Sequence, residues 1–411
     1  MKRKLLGVLL SAAMAASLLA GCGSDGNAAA TTTDGAADAA TEAPAQTEDE
    51  AAPAEDAAAE TPADTASTGG KIGISMPTQS LERWNRDGAY LDEQFRAAGF
   101  ETILTFSDND SGRQVNDIQN MLADEVDLLI VAAIDGEALN TAMNEAADAG
   151  VPVISYDRLI LNDAVSYYVS FDNYTVGKLQ GEFIEKELDL ANAGDKVYNL
   201  EITAGDPADN NAGYFYNGAV DVLKPYIDAG TLNIVSGQMD FDTVATAQWN
   251  TDTALERAQN VLSSYYADGT QLDVWLCSND STALGVAQAI TSDYAGSNSV
   301  LITGQDGDEA NLKNIVDGVQ TMTVYKNVSN ESIVTLGLAK AMLSGETIDE
   351  SLIPSFGIEC AFDTESYETS AGNKCPSFLL VPNVITKDNL QDLVDTGLYT
   401  MGDDGYLSAN Q

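Results

Sequence analysis

Arginine is scarce beyond the first seventy residues: there are six, and three of them, Arg83, Arg86 and Arg158, stand just past short apolar runs. Trp84 neighbours the first and Asp157 precedes the third, while Asp135 follows another such run. In the second half, Asp209-Asn210-Asn211, Asn279-Asp280, Gln305-Asp306 and Lys326 occupy equivalent places. Planar polar side chains beside an indole suit a neutral polyhydroxylated ligand. Asp and Asn pair with vicinal hydroxyls, Arg and Lys add charge-assisted bonds, and an indole face packs on C–H groups. Plainer roles stand beside these. Trp84 fits an apolar core, Asp157-Arg158 a structural ion pair, and Asp135 and Asp280 the caps of the helices that follow. Arg86 fits a solvated surface, and Lys326 a hinge. Arg83 and Arg86 lie near a helix start, where the macrodipole disfavours cations, so something other than helix stability placed them there.

The chemistry this chain lacks is equally informative. Its 411 residues contain no histidine, which removes Ser-His-Asp and Cys-His catalysis, HExxH zinc sites and any imidazole switch. Binding of a neutral ligand is then expected to be flat between about pH 5.5 and 8. A net charge of −45 argues against a nucleic-acid surface, because phosphate recognition needs clustered Lys and Arg. After the first strand comes MPTQSLERW, neither GxGxxG nor a Walker loop, so no nucleotide cofactor is expected. DNDSG at 108–112 mimics only part of a calcium loop, and no metal site is expected.

The elements that carry these residues alternate. KIGISM (71–76), ETILTF (101–106), DLLIVAA (127–133) and VPVISY (151–156) read as strands, each followed by a helical stretch: 81–98, 115–123, 137–149 and, after the further strand 166–172, 176–188. The rhythm restarts with strands at 196–203, 232–238, 272–278, 300–306 and 320–326 and helices at 211–227, 245–266 and from Thr282. Such repeats predict an α/β fold of two similar lobes, each a parallel sheet with helices on both faces. Ligands of such sheets bind beyond the carboxyl ends of the strands, where the residues above stand.

The N-terminus reads as an export signal. Met1-Lys2-Arg3-Lys4 is a positive start, residues 5–20 an apolar stretch too short to span a bilayer comfortably, and LAGC ends at Cys22. This resembles the bacterial lipobox, which implies lipidation of Cys22; a plain secretory signal with an incidental cysteine is the alternative. Residues 23–70 hold 11 acids and no Lys, Arg, aromatic or branched aliphatic residue. A disordered acidic tether is expected there.

LERW (81–84), IDG (134–136), SYDRLI (155–160), SFDN (170–173), DPADNNA (206–212), SND (278–280), TGQD (303–306) and QTMTVYK (320–326) resemble motifs of the type I periplasmic sugar-binding proteins. The nearest likeness is to the branch of D-xylose-binding and multiple-monosaccharide-binding proteins, over about residues 71–400. The resemblance implies two Rossmann-like lobes joined by three crossovers, closing on a monosaccharide and delivering it to an ABC permease and its ATPase, with no enzymatic activity. It implies sugar contacts from Arg83, Trp84, Asp157, Arg158, Asp209, Asn211, Asn279, Asp306 and Lys326, and a second stacking indole from Trp249. IDG follows the multiple-monosaccharide type, whereas the xylose type differs there, so xylose, glucose, galactose and arabinose all remain candidates. The expected organisation is a signal (1–21), a lipidated Cys22 with its tether (22–70), a first lobe (71–172 and 327–355) and a second lobe (173–326 and 356–411). A monomer on the extracytoplasmic face of the membrane is expected. A sensory binding protein serving a chemoreceptor or kinase, and a carbohydrate-active enzyme using two of the carboxylates, are the other readings. Cys360 and Cys375 bound a segment longer than the family's usual turn. In an exported protein they suggest a disulfide, with two free thiols as the alternative; Cys277 reads as core.

Overall fold

A computed structural model describes residues 69–410; Cys22, the signal and all but the last two residues of the expected tether lie outside them. Strands β1 (Lys71–Met76), β2 (Glu101–Phe106), β3 (Leu128–Val131), β4 (Val153–Tyr156) and β5 (Val165–Phe171) pair in parallel, in the order β5-β4-β3-β1-β2. Between them run α1 (Glu82–Ala97), α2 (Ser111–Ala123) and α3 (Asn140–Ala149). β1, β3 and β4 are buried on both faces apart from the first residue of β1, which is why their sequences read as near-continuous apolar runs.

Past α4 (Asn173–Glu187), the second sheet has the order β7-β6-β8-β9, all parallel, from β6 (Tyr198–Thr203), β7 (Leu232–Asn233), β8 (Val274–Cys277) and β9 (Leu301–Ile302). Its helices are α5 (Asn210–Asp228), α6 (Phe241–Val244), α7 (Thr251–Tyr265), α8 (Asp280–Asp293) and α9 (Glu309–Asp317). The helix expected over 245–266 is broken. Gln248 and Trp249 have φ near +58° and +55°, and α7 starts only when Asn250 accepts from the Thr253 N–H at 2.9 Å.

The chain crosses between the sheets three times. It leaves β5 for α4, and it leaves β10 (Met322–Tyr325) for α10 (Val328–Ser344), which packs on α1. After α11 (Ile353–Phe356), β11 (Cys360–Asp363) and β12 (Ser377–Leu380), it reaches β13 (Asn383–Thr386), the antiparallel partner of β10. The expected boundary at 355/356 is therefore corrected. β12 pairs in parallel with β5 and β11 pairs with β12, so the first sheet has seven strands, and the final return falls between Leu380 and Asn383. α12 (Gln391–Asp395) and a hairpin of β14 (Tyr399–Met401) and β15 (Leu407–Ala409) complete the second lobe.

The expected link between Cys360 and Cys375 is also corrected: both thiols are free. Cys360 stands opposite Leu380, whereas Cys375 precedes Ser377 at the other end of the same hairpin. Three steps of strand, at ~3.4 Å each, and two further residues hold them beyond the ~7 Å a disulfide tolerates.

Candidate functional site

The carboxyl ends of both sheets face one cleft. Arg83, Trp84, Asp157, Arg158, Asp209, Trp249, Asn279, Asp306 and Lys326 all line it. Each is set by local structure. Arg83 and Trp84 open α1. Asp157 leaves β4 with φ near +55° and Asp306 follows β9 with φ near +105°, so both carboxylates turn out of their chain direction into the cleft. Asp209 and Asn279 cap α5 and α8, accepting from the N–H groups of Asn211 (2.9 Å) and Thr282 (3.0 Å).

Trp249 owes its position to a missing side chain. Its indole lies on Gly205, where a Cβ would fall 1.9 Å from Cη2. Its Nε1 donates to Asp209 Oδ2 at 3.2 Å, and Phe215 meets it edge-on at 6.1 Å. On the opposite wall the guanidinium carbons of Arg158 and Arg83 stand 4.8 and 5.3 Å from the Trp84 ring centre. Trp84 both joins the first-lobe core and faces the cleft.

Charges alternate across the gap. Arg83 donates to Asp157 (2.7 Å), Asp306 (3.0 Å), Glu331 (3.0 Å) and Asp87 (3.2 Å). Lys326 bonds Asp157 at 3.1 Å and approaches Asp306 at 3.4 Å. Arg158 stands 3.4 Å from Asp209 and donates to the Ala133 carbonyl at 2.9 Å. Burial pushes the Asp157 carboxyl up, but Arg83, Lys326 and Arg158 outweigh it and hold it below the usual range. For Asp209, Asp87 and Glu331 burial prevails over the nearby cations and raises the carboxyl. The cleft thus presents fixed acceptors and fixed cationic donors between two indoles. Each carboxylate on its wall already has a cation beside it, an arrangement suited to gripping hydroxyls.

Comparison with known proteins agrees with that chemistry. Residues 72–347 match the family model described as periplasmic binding protein domain. The chain is 36% identical to the multiple sugar-binding periplasmic receptor of Rhizobium radiobacter, over 82% of this chain and 93% of that protein. It is 32% identical to the D-xylose-binding periplasmic protein of Escherichia coli, over 79% and 89%. An ABC transporter solute-binding protein from Clostridium phytofermentans, solved with bound β-D-glucose, superposes with a TM-score of 0.76 at 44% identity, covering 82% of this chain and 99% of that one. The chain belongs to the periplasmic binding protein family.

In this binding protein one expected contact lies behind the wall. Asn211 is buried and donates to the Asp157 carbonyl at 2.6 Å, while Asn210 donates to the Leu159 carbonyl at 2.9 Å. The DNN tripeptide thus faces the cleft through Asp209 and grips first-lobe backbone through its two asparagines. Asp135 caps α3's approach by accepting from Glu137 and Ala138, and Asp280 accepts from the Gly307 and Asp308 N–H groups. Asp157 and Arg158 do not pair with each other; each takes partners from other elements. Sequence reasoning passed over Phe215, Leu81 and Ser281 on the wall, and Asp87 and Glu331 behind Arg83. Asp87 had a signal, its i,i+4 spacing from Arg83. Glu331, 248 residues away, had none.

Proposed function

We propose that this chain is the substrate-binding lipoprotein of an ABC importer, capturing an aldopyranose of the glucose, galactose, xylose or arabinose type by lobe closure. The carrying observation is the cleft itself: Trp84 and Trp249 on opposite lobes, with Asp157, Arg158, Asp209, Asn279 and Asp306 around them. Ring faces suit pyranose C–H groups, and side chains with fixed partners suit equatorial hydroxyls. The relatives named above bind sugars by their own descriptions, one with β-D-glucose in place, which supports the same class here. The protein binds and releases without catalysis, acts as a monomer, and hands its ligand to a permease driven by an ATPase. Anchoring through Cys22 rests on the sequence LAGC; among the described residues no helix is long and apolar enough to cross a membrane. A thermal-shift screen against monosaccharides tests the reading, because a ligand held only by the folded state raises Tm. D-glucose or D-xylose is expected to raise it by several degrees at millimolar concentration. No shift with any aldopyranose would sink the proposal, and release of free sugar from a glycoside would sink the non-catalytic part.

A further inference from the structure

Arg86 lies three residues past Arg83 on α1, is not part of the cleft wall, and reaches from the first lobe to the second. Its Nη1 donates to the Gly307 carbonyl and to the Tyr399 hydroxyl, both at 3.1 Å. Its Nη2 donates to Asp308 Oδ1 at 3.1 Å and to the Asp306 carbonyl at 3.4 Å. On its own helix it holds Glu82 at 3.2 Å, and Glu82 in turn accepts from the Glu309 N–H, the first of α9, at 3.0 Å. The Tyr399 hydroxyl donates to the same Gly307 carbonyl at 3.0 Å, and its ring meets Tyr325 edge-on at 6.0 Å.

Two arginines one turn apart therefore grip one loop from opposite sides. Arg83 takes the Asp306 carboxylate inside the cleft; Arg86 takes the carbonyls of Asp306 and Gly307 and the Asp308 carboxylate outside it. The loop is braced from behind, where the Gly307 and Asp308 N–H groups both donate to Asp280 at 2.9 Å. The contacts from Arg86 and Glu82 to residues 306–309 cross between lobes, so opening the hinge breaks them as a set. This also accounts for two cations at the start of a helix whose dipole disfavours them.

We propose that Arg86, completed by Glu82, Asp308 and the C-terminal Tyr399, is a latch that holds the lobes closed and sets how long a captured ligand stays, without selecting which ligand it is. The proposal rests on the closure reading above. A contact made only in the closed state raises the closed fraction, and observed affinity scales with that fraction whatever fills the cleft. Because the latch forms after encounter, its loss speeds release and leaves capture nearly unchanged.

Stopped-flow release of D-glucose and of D-xylose, followed by the fluorescence of the cleft tryptophans, tests this. Arg86→Ala is expected to raise the release rate by about tenfold or more, by the same factor for both sugars, with the capture rate within about threefold. Tyr399→Phe, which removes one hydroxyl, is expected to raise release by a smaller factor and decides the matter if Arg86→Ala fails to give a cooperative melt. Unchanged release in the folded variants overturns the latch. So does a factor that differs between the sugars, since that would make Arg86 a ligand contact. Should the wild-type protein bind neither sugar, the functional reading fails on its own. The latch is then judged on the sugar-free protein with a fluorophore on each lobe: Arg86→Ala must show a longer mean separation, and equal separations overturn it.

Discussion

Arg158 is the cation beside Asp209. It faces Trp84, stands 3.4 Å from Asp209, and Asp209 is already raised by burial. Arg158→Ala should leave that carboxylate without its cation and the sugar hydroxyls without a charged donor, weakening binding by about 2–4 kcal/mol; calorimetry reads it directly. Asp308 bears on pH. Burial pushes its carboxyl up to about 7; Arg86 and Arg83 pull the other way, and Asp306 and Glu82 add to the rise. Asp280 also faces it, and Tyr399 lies across Arg86 from it. Once the lobes open and water enters, an ordinary Asp returns toward ~4. Closure then takes up a proton between about pH 4 and 7, so it is favoured on the acid side and weakens as pH rises through 7. Sugar affinity is expected to fall from pH 6 to pH 8 in the wild type and to fall less steeply in Asp308→Asn. Equal constants for the wild type at both pH values would refute this. The flat profile expected from a chain without histidine took every carboxylate to be ordinary, and burial makes Asp308 one of several exceptions, with Asp209, Asp87 and Glu331.

Close approaches, where glycine is required, position the elements. At Gly205 an added Cβ would meet the Trp249 ring, so Gly205→Ala must expel that ring from the wall. The expected result is loss of sugar affinity by about tenfold or more, with about 1–3 kcal/mol of overpacking cost to stability, measured by titration and by melting. α4 and α5 meet backbone to backbone in the same way: a Cβ at Gly177 would stand 1.9 Å from the Phe215 carbonyl oxygen, and one at Gly218 2.1 Å from that of Tyr174. That contact fixes the helix that carries Asn211 and Phe215. In the β11–β12 hairpin, burial pushes the Cys360 thiol up to about 11 and that of Cys375 up to about 12. Alkylation of the native protein should be slow and should reach half-buried Cys360 first. Denatured, unreduced protein should show three free thiols besides Cys22; a count of one would restore the bridge.

For the molecule as a whole, the charge pattern across the cleft makes closure and binding one event. Arg83 with Asp157 belongs to one lobe and Asp306 to the other, as do Arg158 and Asp209. A sugar that replaces part of these contacts still needs both lobes, so it shifts the population toward the closed form. Small-angle scattering should show a smaller radius of gyration with D-glucose than without it. Equal radii at saturating sugar would mean that the cleft does not work by closure.

The sequence by itself determined the alternation of strands and helices, because buried parallel strands and amphipathic helices carry local periodicities. It also placed nine of the ten expected contacts at strand ends, because a parallel sheet brings those ends to one side. What only the tertiary structure decided involves partners far apart in the chain. Asn211 turns to the Asp157 backbone and not to the cleft, Arg83 gathers Glu331 and Asp306, and Arg86 meets Tyr399, 313 residues away. The last crossover moved from 355/356 to the turn between β12 and β13, and the two cysteines separated, for the same reason. Strand order and register set which residues face each other, and no local pattern of apolar and polar residues encodes either across two crossovers.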